Sequence, residues 1–157
     1  MAAVEKKVGD QVGFEFYPAE QLGKLKDQLQ LVTSGAVDIA QIDPGYTPDK
    51  LPLSEIGHLP GAYSKACDAA LPYWEMISPG GSLDALEWKP QGIRAIIAYS
   101  FSQYQMFVNK AFHSLSDIKG FKLRVSGPAV YATVQGMGAV PVFGLTCAKS
   151  AAVMGKA

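Results

Sequence analysis

The chain has 157 residues, is 48% hydrophobic and carries 14 basic against 14 acidic side chains, for a formal net charge of zero. A chain of this size buries a real core, roughly 68–70% of its unfolded surface, and its length suits one domain or parts of two. With no basic block, no interleaved basic and aromatic patch and no acidic tail, it lacks the cationic surface that nucleic acid requires.

In chain order, residues 1–9 read as the tail of a helix that stops at Gly9-Asp10. Residues 12–17 (V-G-F-E-F-Y) alternate as a strand does, and Pro18 ends it because it has no N–H to donate. Leu22, Leu25, Leu29 and Val32 then follow helical spacing, with Lys24, Lys26, Asp27 and Gln28 turned outward and Ser34-Gly35 as the stop. Residues 37–40 (V-D-I-A) form a second predicted strand. Strand, helix and strand at these lengths imply a parallel βαβ unit. Its right-handed crossover would bring the Asp43-Pro44-Gly45-Tyr46 loop to the carboxyl edge of the sheet, where Tyr46 could wall a ligand or simply cover the loop.

Residues 51–61 are apolar and Pro-rich. A long helix is predicted over 63–77, interrupted or tilted near Pro72 and broken by Pro79-Gly80-Gly81. A short helix follows over 82–88 with Ser82 as its cap, and Trp74 and Trp88 read as packing residues. Residues 92–98 form a near-continuous apolar strand, as expected when both faces are covered. Residues 99–103 are irregular, and 105–108 are strand-like again. No glycine-rich phosphate loop follows any strand.

From His113 onward the pattern is clearest. Ser114 or Ser116 caps a short turn and Gly120 stops it. Phe121, Leu123 and Val125 alternate with Lys122 and Arg124 as a half-buried strand. Ser126-Gly127-Pro128 turns into a helix over 129–137, with Pro128 at a first position where its missing N–H costs nothing. Gly138 ends that helix and Val140-Pro141-Val142 forms the next strand. Residues 125–148 carry no charge and are long enough to span a bilayer, but Pro128, Pro141 and several glycines mark turns, so no membrane insertion is expected.

Arg124 falls near the carboxyl end of a strand, just before a helix N-terminus, which is where open α/β sheets bind ligands. Free amides and the helix dipole there favour an anion, and the planar guanidinium suits a carboxylate in two-point contact. The same position also suits an Arg on a solvated strand end or one paired to a nearby Asp. Cys67 and Cys147 are too few and too far apart for a disulfide framework or a metal site, and read as buried free thiols. His58 and His113 show no neighbouring ligand at metal-binding spacing, so neither metal nor cofactor is expected.

The run S-L-x-D-I-K-G-F-K-L-R-V-S-G, followed by M-G-A-V-P-V, resembles the signature of the DctP-type substrate-binding proteins of TRAP transporters. Y-P-A-E-Q-L-G, S-G-A-V-D-I-A and L-P-L-S-E-I-G-H-L-P-G resemble further landmarks in the family order, so the likeness covers nearly the whole chain. It implies an α/β fold of the type II periplasmic-binding-protein kind, with two lobes of mixed or parallel sheets flanked by helices. Residues 1–100 would form the first lobe, lacking its first strand and C-terminal returns, and 101–157 would open an incomplete second lobe. It also implies a periplasmic receptor, not an enzyme, that passes an organic acid to TRAP membrane permease subunits.

Arg124 stands at the family's carboxylate clamp. Tyr104 stands where some members carry a second ligand contact, and the missing second Arg argues against a sialic acid ligand. Tyr104, Gln105, Tyr46, Ser126 and Phe101 complete the candidate ligand set, which favours a monocarboxylate with an apolar or aromatic body. At the chain end Lys149 and Ala151 replace the family's Glu and Tyr. The N-terminus has no apolar core and is no signal peptide, so the chain is expected to begin inside a longer, exported protein. As it stands, it is expected to be marginally stable and to associate through an unfinished sheet edge near Val140.

Two other readings compete: a sensor or binding module of the same fold, or a non-functional fragment. A hydrolase fares worse, because there is no G-x-S-x-G elbow and neither His has a plausible nucleophile beside it.

Overall fold

The computed structural model describes residues 2–100 and 104–144. Four α-helices appear among them: α1 (Ala2–Val8), α2 (Gln28–Thr33), α3 (Ala66–Ile77) and α4 (Pro128–Gly136). Two short strands, β1 (Lys122–Arg124) and β2 (Val140–Val142), pair in parallel with Leu123 opposite Pro141.

The β1–α4–β2 unit forms as its residues dictate. Ser114 precedes a 3-10 turn, Leu115–Ile118, and the Asp117 carboxylate accepts the backbone N–H groups of His113 and Ser114, each at 2.9 Å. These bonds hold the Asp117 carboxyl below the usual carboxylate range. Ile118 is fully buried beneath the turn, and Gly120, at φ +79°, donates to the Gly138 carbonyl. Pro128 stands in the first turn of α4. Val125, Val134 and Ala139 make a small core, with Phe121, Leu123, Val130, Tyr131 and Met137 packed on it.

The larger core joins Leu29, Leu51, Ile77, Leu83, Trp88, Ile93 and Ala95. One buried carboxylate fastens it. Glu87, in a π-helical turn over Asp84–Trp88, accepts from the backbone amides of Leu53 and Ser54 and from the Ser54 hydroxyl, while the Trp88 indole donates to Ser54 Oγ at 2.9 Å. The 3-10 segment Ser54–His58 is thereby tied at its start to the helical layer.

Several expectations change. Residues 12–17, 37–40, 92–98 and 105–108 are not strands: they find no ladder partner among the described residues. Alternation reports how side chains face, but a strand needs a neighbour for its backbone groups. In the stretch 92–98, Ile93 and Ala95 are buried, whereas Ile96 and Ile97 are 63% and 72% exposed, so only one face is covered. The helix read from Leu22 starts later, as a 3-10 turn (Leu25–Asp27) leading into α2, with the Glu20 carboxylate accepting the Leu25 amide. Helix α3 passes Pro72 without interruption. Cys67 is exposed in the first turn of α3, not buried. Cys147 and the tail residues read above, including Lys149 and Ala151, lie outside the described residues.

Removing the Glu87 carboxylate leaves three donors without an acceptor in a dry site. Glu87→Ala is expected to lower the unfolding free energy in urea by about 3 kcal/mol or more. Leu86→Ala, at an exposed neighbour, is expected to cost within about 0.5 kcal/mol. Equal midpoints for the two variants would show that the network does not fasten the core.

Candidate functional site

Arg124 ends β1, and two residues later the chain turns through Ser126 and Gly127 into α4. Facing this turn is the loop that begins at Asp43. Its Oδ1 accepts the Gly45 amide at 2.9 Å, which winds Pro44–Tyr46 into a 3-10 turn. The two loops meet closely because Gly45 has no side chain: a Cβ there would lie 2.7 Å from the Ser126 carbonyl oxygen and 2.9 Å from His58 Nδ1.

That approach delivers Tyr46 to Arg124. The guanidinium Nη2 donates to the Tyr46 hydroxyl, and Cζ lies 5.7 Å from the centre of the Tyr46 ring. Tyr104, about half exposed, hydrogen-bonds through its phenol to Ser126. Burial nevertheless outweighs that bond and raises the Tyr104 pKa. Arg124, Tyr46, Ser126 and Tyr104 are thus brought together. Gln105 is exposed and makes no hydrogen bond to this group among the described residues. Phe101 lies outside the described residues.

Sequence reading missed a second cluster packed against the first. Glu55, on the Ser54–His58 segment, is only 7% exposed, and its Oε2 lies 3.4 Å from the Ala129 amide in the first turn of α4. A Cβ on Gly127 would fall 2.7 and 2.8 Å from the two carboxylate oxygens. Among the described residues Glu55 Oε1 has no hydrogen-bond partner, and it stands 3.6 Å from His58 Nδ1; the other ring nitrogen, Nε2, is 3.4 Å from Asp43 Oδ1. His58 therefore lies between two carboxylates, contrary to the expectation that it has none at close spacing. The i,i+3 pairing of Glu55 with His58 was the available signal; Asp43, fifteen positions upstream, was not visible without the fold. Burial raises the Glu55 pKa, with Asp43 adding to the rise and His58 and the Ala129 amide opposing it.

Beside this cluster is a cavity of about 70 Å³ whose lining includes Ile42, Asp43, His58, Tyr73, Ile97 and Tyr99. Its walls are mainly apolar, with Asp43 and His58 shared between cavity and cluster. Arg124, Tyr46 and Tyr104 do not line it. Among the described residues, no group of three or more His, Cys, Asp or Glu side chains could hold a metal ion, and no helix is long and apolar enough to cross a membrane.

The model of the DctP family, bacterial extracellular solute-binding protein family 7, matches residues 1–143. The chain belongs to that family. It is similar in fold to a TRAP periplasmic solute-binding protein from Desulfovibrio salexigens, an open complex with the C-terminus of a symmetry mate bound in its ligand-binding site. The two are 22% identical with a TM-score of 0.72 over 99% of this chain, which spans 46% of the other. No curated protein matches the chain. The fold is accordingly part of a type II-like periplasmic-binding architecture, with a small parallel sheet and flanking helices.

The Glu55–Gly127 contact has two measurable consequences. Gly127→Ala is expected to cost about 1–3 kcal/mol from overpacking, and less in a Glu55→Ala background; additive effects in the double-mutant cycle would show no contact. The pH dependence follows from linkage. The folded chain keeps a proton on Glu55 to higher pH than the unfolded chain does. That contribution is complete below the ordinary value of 4.5 and fades as pH rises through the folded-state value. Chemical denaturation across this range should show Glu55→Gln losing less stability with rising pH than the wild type.

Proposed function

We propose that this DctP family chain carries the carboxylate-capturing part of an extracytoplasmic solute receptor, which serves a TRAP-type secondary transporter in the periplasm. The observation that carries the reading is Arg124, at the carboxyl end of β1 and ahead of α4, with Tyr46 brought against it from a loop almost eighty positions earlier. The guanidinium supplies a two-point anchor for a carboxylate, and Tyr46 and Tyr104 supply flat apolar walls with polar tips. Ser126 adds a polar group beside them, and Gln105 and Phe101 stay in the candidate ligand set on sequence grounds. The related Desulfovibrio protein holds a polypeptide C-terminus in its ligand site, and a C-terminus ends in a carboxylate. In this reading residues 1–100 form the first lobe and 101–157 open the second. The chemistry is binding, with no cofactor, and the membrane permease subunits are the partners.

Calorimetric titration with organic acids tests it. Arg124→Ala is expected to weaken binding at least tenfold, since a hydrogen bond to a charged group is worth about 1.5–3 kcal/mol, and Arg124→Lys to restore only part of it. Undiminished affinity in Arg124→Ala would overturn the assignment. With one cationic anchor and aromatic walls, aromatic or branched monocarboxylates should raise the melting temperature more than succinate or sialate does. The opposite order would remove the monocarboxylate assignment.

A further inference from the structure

The anion position at the start of α4 is already filled by the protein's own carboxylate. Helix α4 runs for nine residues from Pro128, which has no N–H, so the Ala129 amide is the first donor its N-terminus offers. Glu55 Oε2 lies at that amide, and Gly127 is the one residue type that leaves room for both Glu55 oxygens against the turn. Oε1 is buried, makes no hydrogen bond among the described residues and stands 3.6 Å from His58 Nδ1. A carboxylate set this deeply at the N-terminus of a helix that begins four residues after Arg124 repels any second anion seeking the same donors.

The geometry points to Glu55 as a specificity-determining residue that reserves the helix N-terminus and so excludes a second carboxylate from the solute held by Arg124. The occupancy of the helix end stands on geometry alone; the selection among solutes rests on the receptor reading above. Arg124 and α4 together would otherwise form a two-anion site. With Glu55 in place, one cationic anchor remains for the solute.

Two measurements on the whole chain separate these parts. The first uses inorganic sulfate as the probe, in thermal melts against sodium chloride at matched ionic strength. Glu55→Ser, which removes the carboxylate and empties the space before the Ala129 amide, is expected to gain roughly 3 °C more from sulfate than the wild type does. Glu55→Gln, which keeps the space filled and removes only the charge, is the second variant should Ser lower folding. An equal response in wild type and both variants overturns the occupancy.

The second measurement compares butanoate with succinate, which differ by one carboxylate. The wild type is expected to prefer butanoate at least tenfold, and Glu55→Gln to narrow that preference by a similar factor. An unchanged preference alongside a sulfate response shows a filled helix end that does not select, and overturns the specificity role. Failure of both proteins to bind either acid, with the sulfate response intact, overturns the receptor reading and the selection with it, while the occupancy holds.

Discussion

The site depends on two backbone approaches that leave no space for a side chain. Gly45 sits against the Ser126 carbonyl, and Gly127 sits against the Glu55 carboxylate. Each glycine lies on one loop and its neighbour on the other, so the Asp43–His58 region and the β1–α4 turn interlock in both directions. Tyr46 reaches Arg124 only because this interlock holds. A methyl group at Gly45 would meet the Ser126 backbone carbonyl and force the loops apart, carrying Tyr46 and Arg124 with them, whereas one at Gly127 would displace the end of the Glu55 side chain.

The same loop region is held from a second side. Glu87 gathers the amides of Leu53 and Ser54 while Trp88 bonds to the Ser54 hydroxyl, so the segment that carries Glu55 and His58 leaves a buried, fully accepted anchor. A fully satisfied buried network favours one geometry over near alternatives, because any shift strands a polar group in a dry interior. Glu55 contrasts with it: one of its oxygens has no hydrogen bond among the described residues, and burial raises its pKa. One carboxylate is placed for rigidity. The other carries an unmet electrostatic demand, and such demands concentrate at functional positions.

What was legible in the sequence follows a physical line. The unit from Ser114 to Val142 could be read because each boundary is set locally, by Asp117 bonding its own turn, by Pro128 opening a helix and by Gly138 closing it. Arg124 and Tyr46 were each recognisable from chemistry and loop setting, and the fold brought them together. The stretches 12–17, 37–40, 92–98 and 105–108 were misread as strands because alternation says nothing about whether a partner backbone is present. Phe14 and Phe16 are both exposed where the alternation implied a covered face. The roles of Glu55 and His58 were hidden for a related reason. A charged residue in a Pro-rich segment looks solvated until the fold shows what lies across from it, and Ala129 and Gly127 are more than seventy positions away.

Pro141 has a consequence for how the small sheet can grow. The Val140 amide bonds to the Phe121 carbonyl and the Val142 carbonyl accepts from Val125, so residues 140 and 142 both turn their backbone groups toward β1. Residue 141, between them, faces the opposite way, and proline has no N–H to offer there. The outer rim of β2 therefore presents a carbonyl at its centre with no donor beside it. A further strand, from this chain or another copy, could not complete a regular ladder along that rim. The sheet is thus biased against extension past β2, which blunts the edge where uncontrolled association between copies would otherwise begin.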